Sequence, residues 1–177
     1  ASEPRRLSRL VQQMLDLSRM ENRTAPLKLE QIDTVRFVRR IVDSQQQLFS
    51  DHDLRLRFSD DTQGRPSDIE ADPDMVTQAV VNLMSNAMRY TPEGGWVVVS
   101  VRTSRRNVQI IVSDTGIGIA PEHLPRIWDR FYQVSASRSA ESSGLGLSMV
   151  KWIVEAHHGE IRVESKESAG TTFTARL

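Results

Sequence analysis

Apolar residues recur every three or four positions along four stretches of the chain, and alternate with polar ones along most of the rest. The first helical stretch spans 5–21, where Leu7, Leu10, Met14 and Leu17 follow a 3-4-3 spacing with Arg and Gln between them. That is a coiled-coil seam, but only about two heptads long, too short to be stable alone, so it is expected to pack on another helix. Asn22 to Pro26 interrupts it as a hinge or linker. The other reading is an N-terminal helix docked on the main core. A second helix is expected over 34–49, with Val35, Val38, Ile41, Val42 and Leu48 facing inward. Leu54 to Phe58 alternates strictly and predicts a half-buried strand, and Ile69 lies in another short one.

Asp72-Pro73 has the chemistry of a helix start: an oxygen to cap the first amides, then a residue that needs no amide partner. The helix that follows carries Val76, Val80, Leu83 and Ala87 on one side and ends near Thr91-Pro92. Glu93-Gly94-Gly95 and Arg105-Arg106-Asn107 are turns, and the strands 96–101 and 108–113 form an antiparallel hairpin. From Gly118 to Ser143 only a short helix is expected, over about 121–128, before a small, polar tip. A helix over 145–157 closes on Gly159 as its C-cap, and two strands, 160–164 and 171–177, end the chain. Together these predict an α+β two-layer sandwich: a mixed, mostly antiparallel sheet with helices on one face.

Composition narrows the chemistry. The 177 residues can bury one substantial core. Lys+Arg and Asp+Glu both number 23, so net charge offers no case for nucleic acid or an anionic membrane as partner. No cysteine is present, which excludes disulfides and thiolate metal sites and suits a reducing compartment.

Three motifs carry candidate chemistry. Asn82, Asn86 and Tyr90 stand at i, i+4 and i+8 and share one helix face, with Arg89 at its edge. An asparagine carbonyl is a hard oxygen suited to Mg²⁺, and Arg89 can neutralise a phosphate. Tyr90 offers a flat face to a base or a hydroxyl to a phosphate. A solvated face with an amide ladder is the alternative. Asp114 ends the apolar strand Ile110-Ile111-Val112-Ser113, where a carboxylate is out of pattern without a partner. An adenine amine would serve, and Gly116 and Gly118 let the backbone turn beneath a flat ring. A plain Asp-x-Gly turn is the bland reading. Ser143-Gly144-Leu145-Gly146-Leu147 precedes a helix, whose first amides favour phosphate. No lysine follows, so it is not the lysine-containing phosphate loop; an ordinary glycine-rich N-cap has the same composition.

In this order and spacing the motifs resemble the catalytic ATP-binding domain of bacterial sensor histidine kinases, within the GHKL ATPases. Ile127-Trp128-Asp129-Arg130-Phe131-Tyr132 resembles the family's phenylalanine motif, and Asp114 to Ile119 its first glycine motif. The resemblance implies the GHKL fold over 25–177, with 120–143 as a lid over ATP. It implies that Asn86 ligates Mg²⁺, that Asn82 supports the metal and phosphates, and that Asp114 contacts the adenine amine. Arg89 and Arg130 are implied as catalytic charges. Tyr90, Gly116, Gly118, Ile119, Ser143, Gly144, Leu145, Gly146 and Leu147 are implied as nucleotide contacts. Two positions depart from the pattern: Ser142 replaces a common glycine and is expected to stiffen the lid hinge, and Gln133 replaces an arginine. The second leaves Arg130 or Arg138 as the charge near the phosphates.

Residues 1–24 resemble the end of a dimerisation and histidine-phosphotransfer helix plus linker. The phosphoacceptor histidine is expected upstream of this chain. His52-Asp53-Leu54-Arg55 copies the start of that motif, but it runs into a strand and lacks the Thr-Pro that should follow. His123, His157 and His158 are read as surface or capping residues. The implied function is transfer of the γ-phosphoryl group of Mg·ATP to the upstream histidine. The implied parent is a homodimeric, membrane-anchored sensor whose cytosolic part holds this domain and whose partner is a response regulator. The alternatives are a serine kinase of the anti-sigma type and an ATP-hydrolysing clamp. Clamps of this superfamily keep glutamate where Asn82 stands, and asparagine cannot take a proton from water.

Overall fold

The computed structural model describes residues 26–134 and 146–177, together with Pro4, Leu7, Ser8, Val11, Gln12, Met14, Leu15 and Ser18 of the N-terminal segment. Those eight residues have helical backbone, and Leu7, Val11, Met14 and Leu15 are exposed, so none of them is buried in the core. Leu10 and Leu17 of the expected seam lie outside the described residues.

Five strands form the main sheet: β2 (Arg55–Asp60), β4 (Trp96–Ser104), β5 (Asn107–Asp114), β7 (Gly170–Arg176) and β6 (Glu160–Lys166), in that spatial order. β2 runs parallel to β4, and every other neighbour is antiparallel. The parallel pair needs a long crossover, which β3 (Asp68–Ala71) and helix α2 (Pro73–Tyr90) supply. β1 (Glu30–Asp33) pairs with β3 in a separate two-stranded ribbon, Ile32 opposite Ile69. Alternation puts Leu56, Val97, Val99, Val101, Ile110, Val112, Phe173 and Ala175 on the covered face, all buried. Arg55 and Arg57 point the other way and stack on Trp96 at 4.9 and 5.3 Å.

Helices α1 (Thr34–Asp51), α2 and α3 (Gly146–Ala156) cover the inner face. The inward row of α1 is Val38, Val42 and Phe49. Leu48, expected to face inward, lies one position off that row and is 41% exposed. Asp72 accepts from the amides of Asp74 and Met75, and Pro73 opens α2, as its sequence requires. Leu83 sits 1% exposed in the hydrophobic core. Leu83→Ala is therefore expected to cost about 3 kcal/mol in urea unfolding; a loss under about 1 kcal/mol would show that the core collapses around the gap.

Two local expectations are corrected. The helix expected over 121–128 is a single 3-10 turn, Leu124–Arg126, because Pro125 lacks an amide and its ring blocks a continuing α-helix. Gly159 is not the left-handed residue that ends α3. His158 is, with φ 60°. Its amide returns to the Glu155 carbonyl (2.9 Å) and that of Gly159 to Val154 (2.9 Å), a Schellman closure. Gly159 is required for another reason: a Cβ there would lie 2.0 Å from the Arg176 carbonyl oxygen.

Candidate nucleotide site

The motif residues meet at the C-terminal end of α2. Leu83, Met84 and Ala87 bury one side of the helix, which turns Asn82, Asn86, Arg89 and Tyr90 half-buried toward the other. α2 packs against α3, and the Asn82 amide donates to Met149 Sδ of α3 at 3.7 Å. A thioether is a weak acceptor, and the contact uses only the amide nitrogen of Asn82. The Asn86 side chain has no hydrogen-bond partner among the described residues. Arg89 lies 6.0 Å from the Tyr90 ring and also lines a groove of about 500 Å³ on the α1 side, with Asp51, His52, Asp53 and Glu93.

Asp114 is the last residue of β5 and 8% exposed. Its Oδ1 accepts from the amides of Gly116 (2.8 Å) and Thr171 (3.2 Å). Oδ2 takes no hydrogen bond from the described residues. Burial pushes this carboxyl above its ordinary range, against the opposing pull of the two amides. A buried carboxylate with one oxygen satisfied and one free is suited to receive an amine donor.

The turn after Asp114 is tied on both sides. The Ile117 amide donates to the Tyr90 carbonyl (3.1 Å) and its carbonyl accepts from the Ser168 amide (2.8 Å). The Ile119 amide donates to Ser165 Oγ (2.8 Å), which also contacts Thr171 Oγ1 (2.8 Å). Glycine is needed at 116 because a Cβ would meet the Tyr90 carbonyl at 2.5 Å and Asp114 Oδ1 at 2.8 Å. The end of the asparagine helix and the Asp114 turn are thereby one unit. Sequence reasoning missed Thr171 and Ser165. The signal was a pair of polar residues flanking the last hairpin, whose register sets Asp114 opposite Thr171.

Gly146 opens α3, with nothing within 4 Å of where a Cβ would stand, and Leu147 packs partly against the core. Ser143, Gly144 and Leu145 lie outside the described residues, as do Ser142 and Arg138. In the phenylalanine motif, Ile127 is buried and Trp128 stands edge-on to Phe173 at 5.8 Å. Phe131 is 54% exposed with φ 61°, and Arg130 is exposed beside it. Tyr132 hydrogen-bonds His123 Nδ1 and lies under the Arg126 guanidinium. His52 caps α1, its Nδ1 2.8 Å from the Leu48 carbonyl. His157 is half-buried and caps α3, its Nδ1 2.7 Å from the Ile153 carbonyl, while its Nε2 accepts the Asp72 amide.

Residues 71–177 match the family model described as histidine kinase-, DNA gyrase B- and HSP90-like ATPase. The chain belongs to this family. It is 40% identical over 174 residues to the sensor histidine kinase CusS of Escherichia coli K12, covering 97% of this chain and 35% of CusS. It is 36% identical over 180 residues to the sensor histidine kinase WalK of Bacillus subtilis, covering 99% of this chain and 29% of WalK. The chain thus spans about a third of these relatives. Full-length ShkA, solved in complex with AMPPNP, superposes with a TM-score of 0.84 at 25% identity, over 97% of this chain and 35% of that one. The α+β architecture is that of histidine kinase catalytic domains. No helix among the described residues is long and apolar enough to cross a membrane.

Proposed function

We propose that this chain binds Mg·ATP and donates the γ-phosphoryl group to a histidine on an upstream dimerisation domain. The observation that carries this reading is Asp114: a buried carboxylate with Oδ2 left for a donor, fastened through Ile117 to the end of the helix that bears Asn82 and Asn86. The residues fit the nucleotide. Asp114 Oδ2 would take the adenine amine above Gly116, where a side chain would obstruct the floor. Asn86, with Asn82, would offer oxygens to Mg²⁺, which prefers few protein ligands beside phosphate and water. Arg89, Arg130 and the first amides of α3 would balance phosphate charge. Tyr90, Gly118, Ile119 and Leu147 would line the nucleotide, and Ser143, Gly144 and Leu145 would complete the phosphate loop.

Bound Mg·ATP supplies the phosphoryl group and an electrophilic phosphorus. The protein's part is positioning and charge neutralisation. An imidazole is already a nucleophile, and no carboxylate stands at 82 to activate water, which favours transfer over hydrolysis. The first 24 residues are read as the end of the dimerisation helix and linker. The parent is read as a homodimeric, membrane-anchored sensor whose phosphoryl group passes on to a response regulator.

The test is nucleotide titration of the chain with and without Mg²⁺. Mg²⁺ is expected to tighten ATP binding in the wild type, and Asn86→Ala to remove most of that gain, roughly tenfold in affinity, with little effect on metal-free binding. Saturable binding that ignores Mg²⁺ would overturn the metal assignment, and absence of saturable binding would overturn the site. Supplying the upstream helices in trans with labelled ATP should place acid-labile phosphate on them and none on His52.

A further inference from the structure

Asp72 does more than cap a helix. Oδ1 holds the amides of Asp74 and Met75, while Oδ2 accepts the backbone amide of Lys28 at 3.0 Å, from 44 positions earlier in the chain. Lys28 lies in the irregular segment between the linker and β1, two residues before Glu30. The β1–β3 ladder ends at Glu30 opposite Ala71. It cannot continue through Pro73, which has no amide, and the Asp72 carboxylate takes over as the next acceptor. On its other side the Asp72 amide donates to His157 Nε2 at 3.0 Å, just beyond the end of α3. His157 Nδ1 lies 2.7 Å from the Ile153 carbonyl. A carbonyl only accepts and an amide only donates, so the ring proton is on Nδ1 and Nε2 is the acceptor. Asp72 itself is 7% exposed, so its end of these part-buried bonds is sheltered from water.

One residue therefore joins three elements: the segment just after the linker, the start of α2 and the end of α3. The same two helices carry the candidate site at their opposite ends, Asn82 to Tyr90 late in α2 and the glycine motif at the start of α3. We propose that Asp72 and His157 are positioning residues that fix the exit of the linker at Lys28 against the two helices of the candidate site, and so set the approach of the upstream phosphoacceptor. This rests on the function proposed above. The node lies about 20 Å along α2 from Asn86, at 1.5 Å per residue, so it acts on the approach of the phosphoacceptor and leaves nucleotide affinity alone.

Asparagine caps a helix as well as aspartate does, since a cap needs a single oxygen; in the Asp72→Asn variant, a side chain turned to keep Asp74 and Met75 presents an NH₂ to the Lys28 amide. Asp72→Asn thus separates anchoring from capping. In the chain itself it should raise hydrogen exchange at the Lys28 amide while Asp74 and Met75 stay protected and the ATP Kd is unchanged. In the protein carrying its upstream dimerisation domain, Asp72→Asn and His157→Ala should each lower the kcat of histidine phosphorylation roughly tenfold to a hundredfold, as misplacement of a reacting group does, with KM for ATP unchanged. His157→Gln should restore it, because Oε1 can accept the Asp72 amide. Unchanged kcat in both variants, a parallel rise in KM, or a glutamine variant no better than alanine would each overturn the node. Failure of the wild type to bind ATP would instead overturn the proposed function, and the Lys28 exchange would still report on the anchor.

Discussion

Asp114→Asn is expected to weaken ATP binding roughly a hundredfold, about the loss of one hydrogen bond to a buried charge. The reason is a count of acceptors. The carboxylate gives Oδ1 to two backbone amides, Gly116 and Thr171, and Oδ2 takes no hydrogen bond from the described residues, so it is the oxygen proposed to receive the adenine amine. Asparagine has one oxygen. If it stays with Gly116 and Thr171, its NH₂ faces the adenine amine; if it turns, the NH₂ faces two amides. Calorimetric titration reads the change directly, and a loss of less than about threefold would remove Asp114 from the base site. Two pH dependences accompany this. Burial raises the Asp114 pKa above its ordinary 3.8. The folded chain therefore holds this proton more tightly than the unfolded one. Its contribution to stability is most favourable below pH 3.8 and declines as pH rises through the raised value. Nucleotide binding runs the opposite way, because the ionised carboxylate is the better acceptor: affinity falls as pH drops through the same value. The asparagine variant should lack both trends. A wild-type affinity flat across that range would show that the carboxylate does not receive the amine.

What the chain reveals on inspection is local. α2 is legible because Asp72-Pro73 and the run Val76, Val80, Leu83, Ala87 need only neighbours within a few residues to be read. Asp114 is legible because a carboxylate closing an apolar strand demands a partner. β1 was missed: a single isoleucine in Glu30–Asp33 has no periodicity, and the strand exists only because β3 is there to pair with it. Phe49 displaced Leu48 from the core because the row set by Val38 and Val42 decides, and adjacent apolar residues at a helix end do not say which one lies on it. Thr171 and Ser165 reach the site through hairpin register, and His157 meets Asp72 from 85 positions away. Such pairings are properties of the folded sheet and helix layer, not of any window of sequence. The phenylalanine motif was legible as a motif, but the segment leading into it was not, because Pro125 holds the helix expected over 121–128 to one 3-10 turn at Leu124–Arg126.

Gly118→Ala should destabilise the fold by about 3 kcal/mol or more and weaken ATP binding at least roughly tenfold. Two costs combine. Gly118 has φ 72°, where an L side chain is strained by about 1–2 kcal/mol. Its Cβ would also lie 2.1 Å from the Lys166 carbonyl oxygen and 2.7 Å from its carbon, backbone atoms at the β6–β7 turn that cannot step aside as a side chain could. Relief requires the hairpin to move, and the hairpin supplies the Ser168 amide to Ile117, Ser165 Oγ to Ile119 and the Thr171 amide to Asp114. The contacts that fix the turn proposed to bind the base would be pulled away together. Gly64 is the control, since its φ is 75° but nothing lies within 4 Å of its Cβ position. Gly64→Ala carries only the strain, about 1–2 kcal/mol, and leaves ATP affinity unchanged. Urea unfolding and nucleotide titration of the two variants separate conformation from contact. Equal destabilisation with equal affinity would mean that the hairpin yields freely and is no part of the nucleotide floor, whereas a larger loss in both measurements at Gly118 ties the floor of the site to the far hairpin.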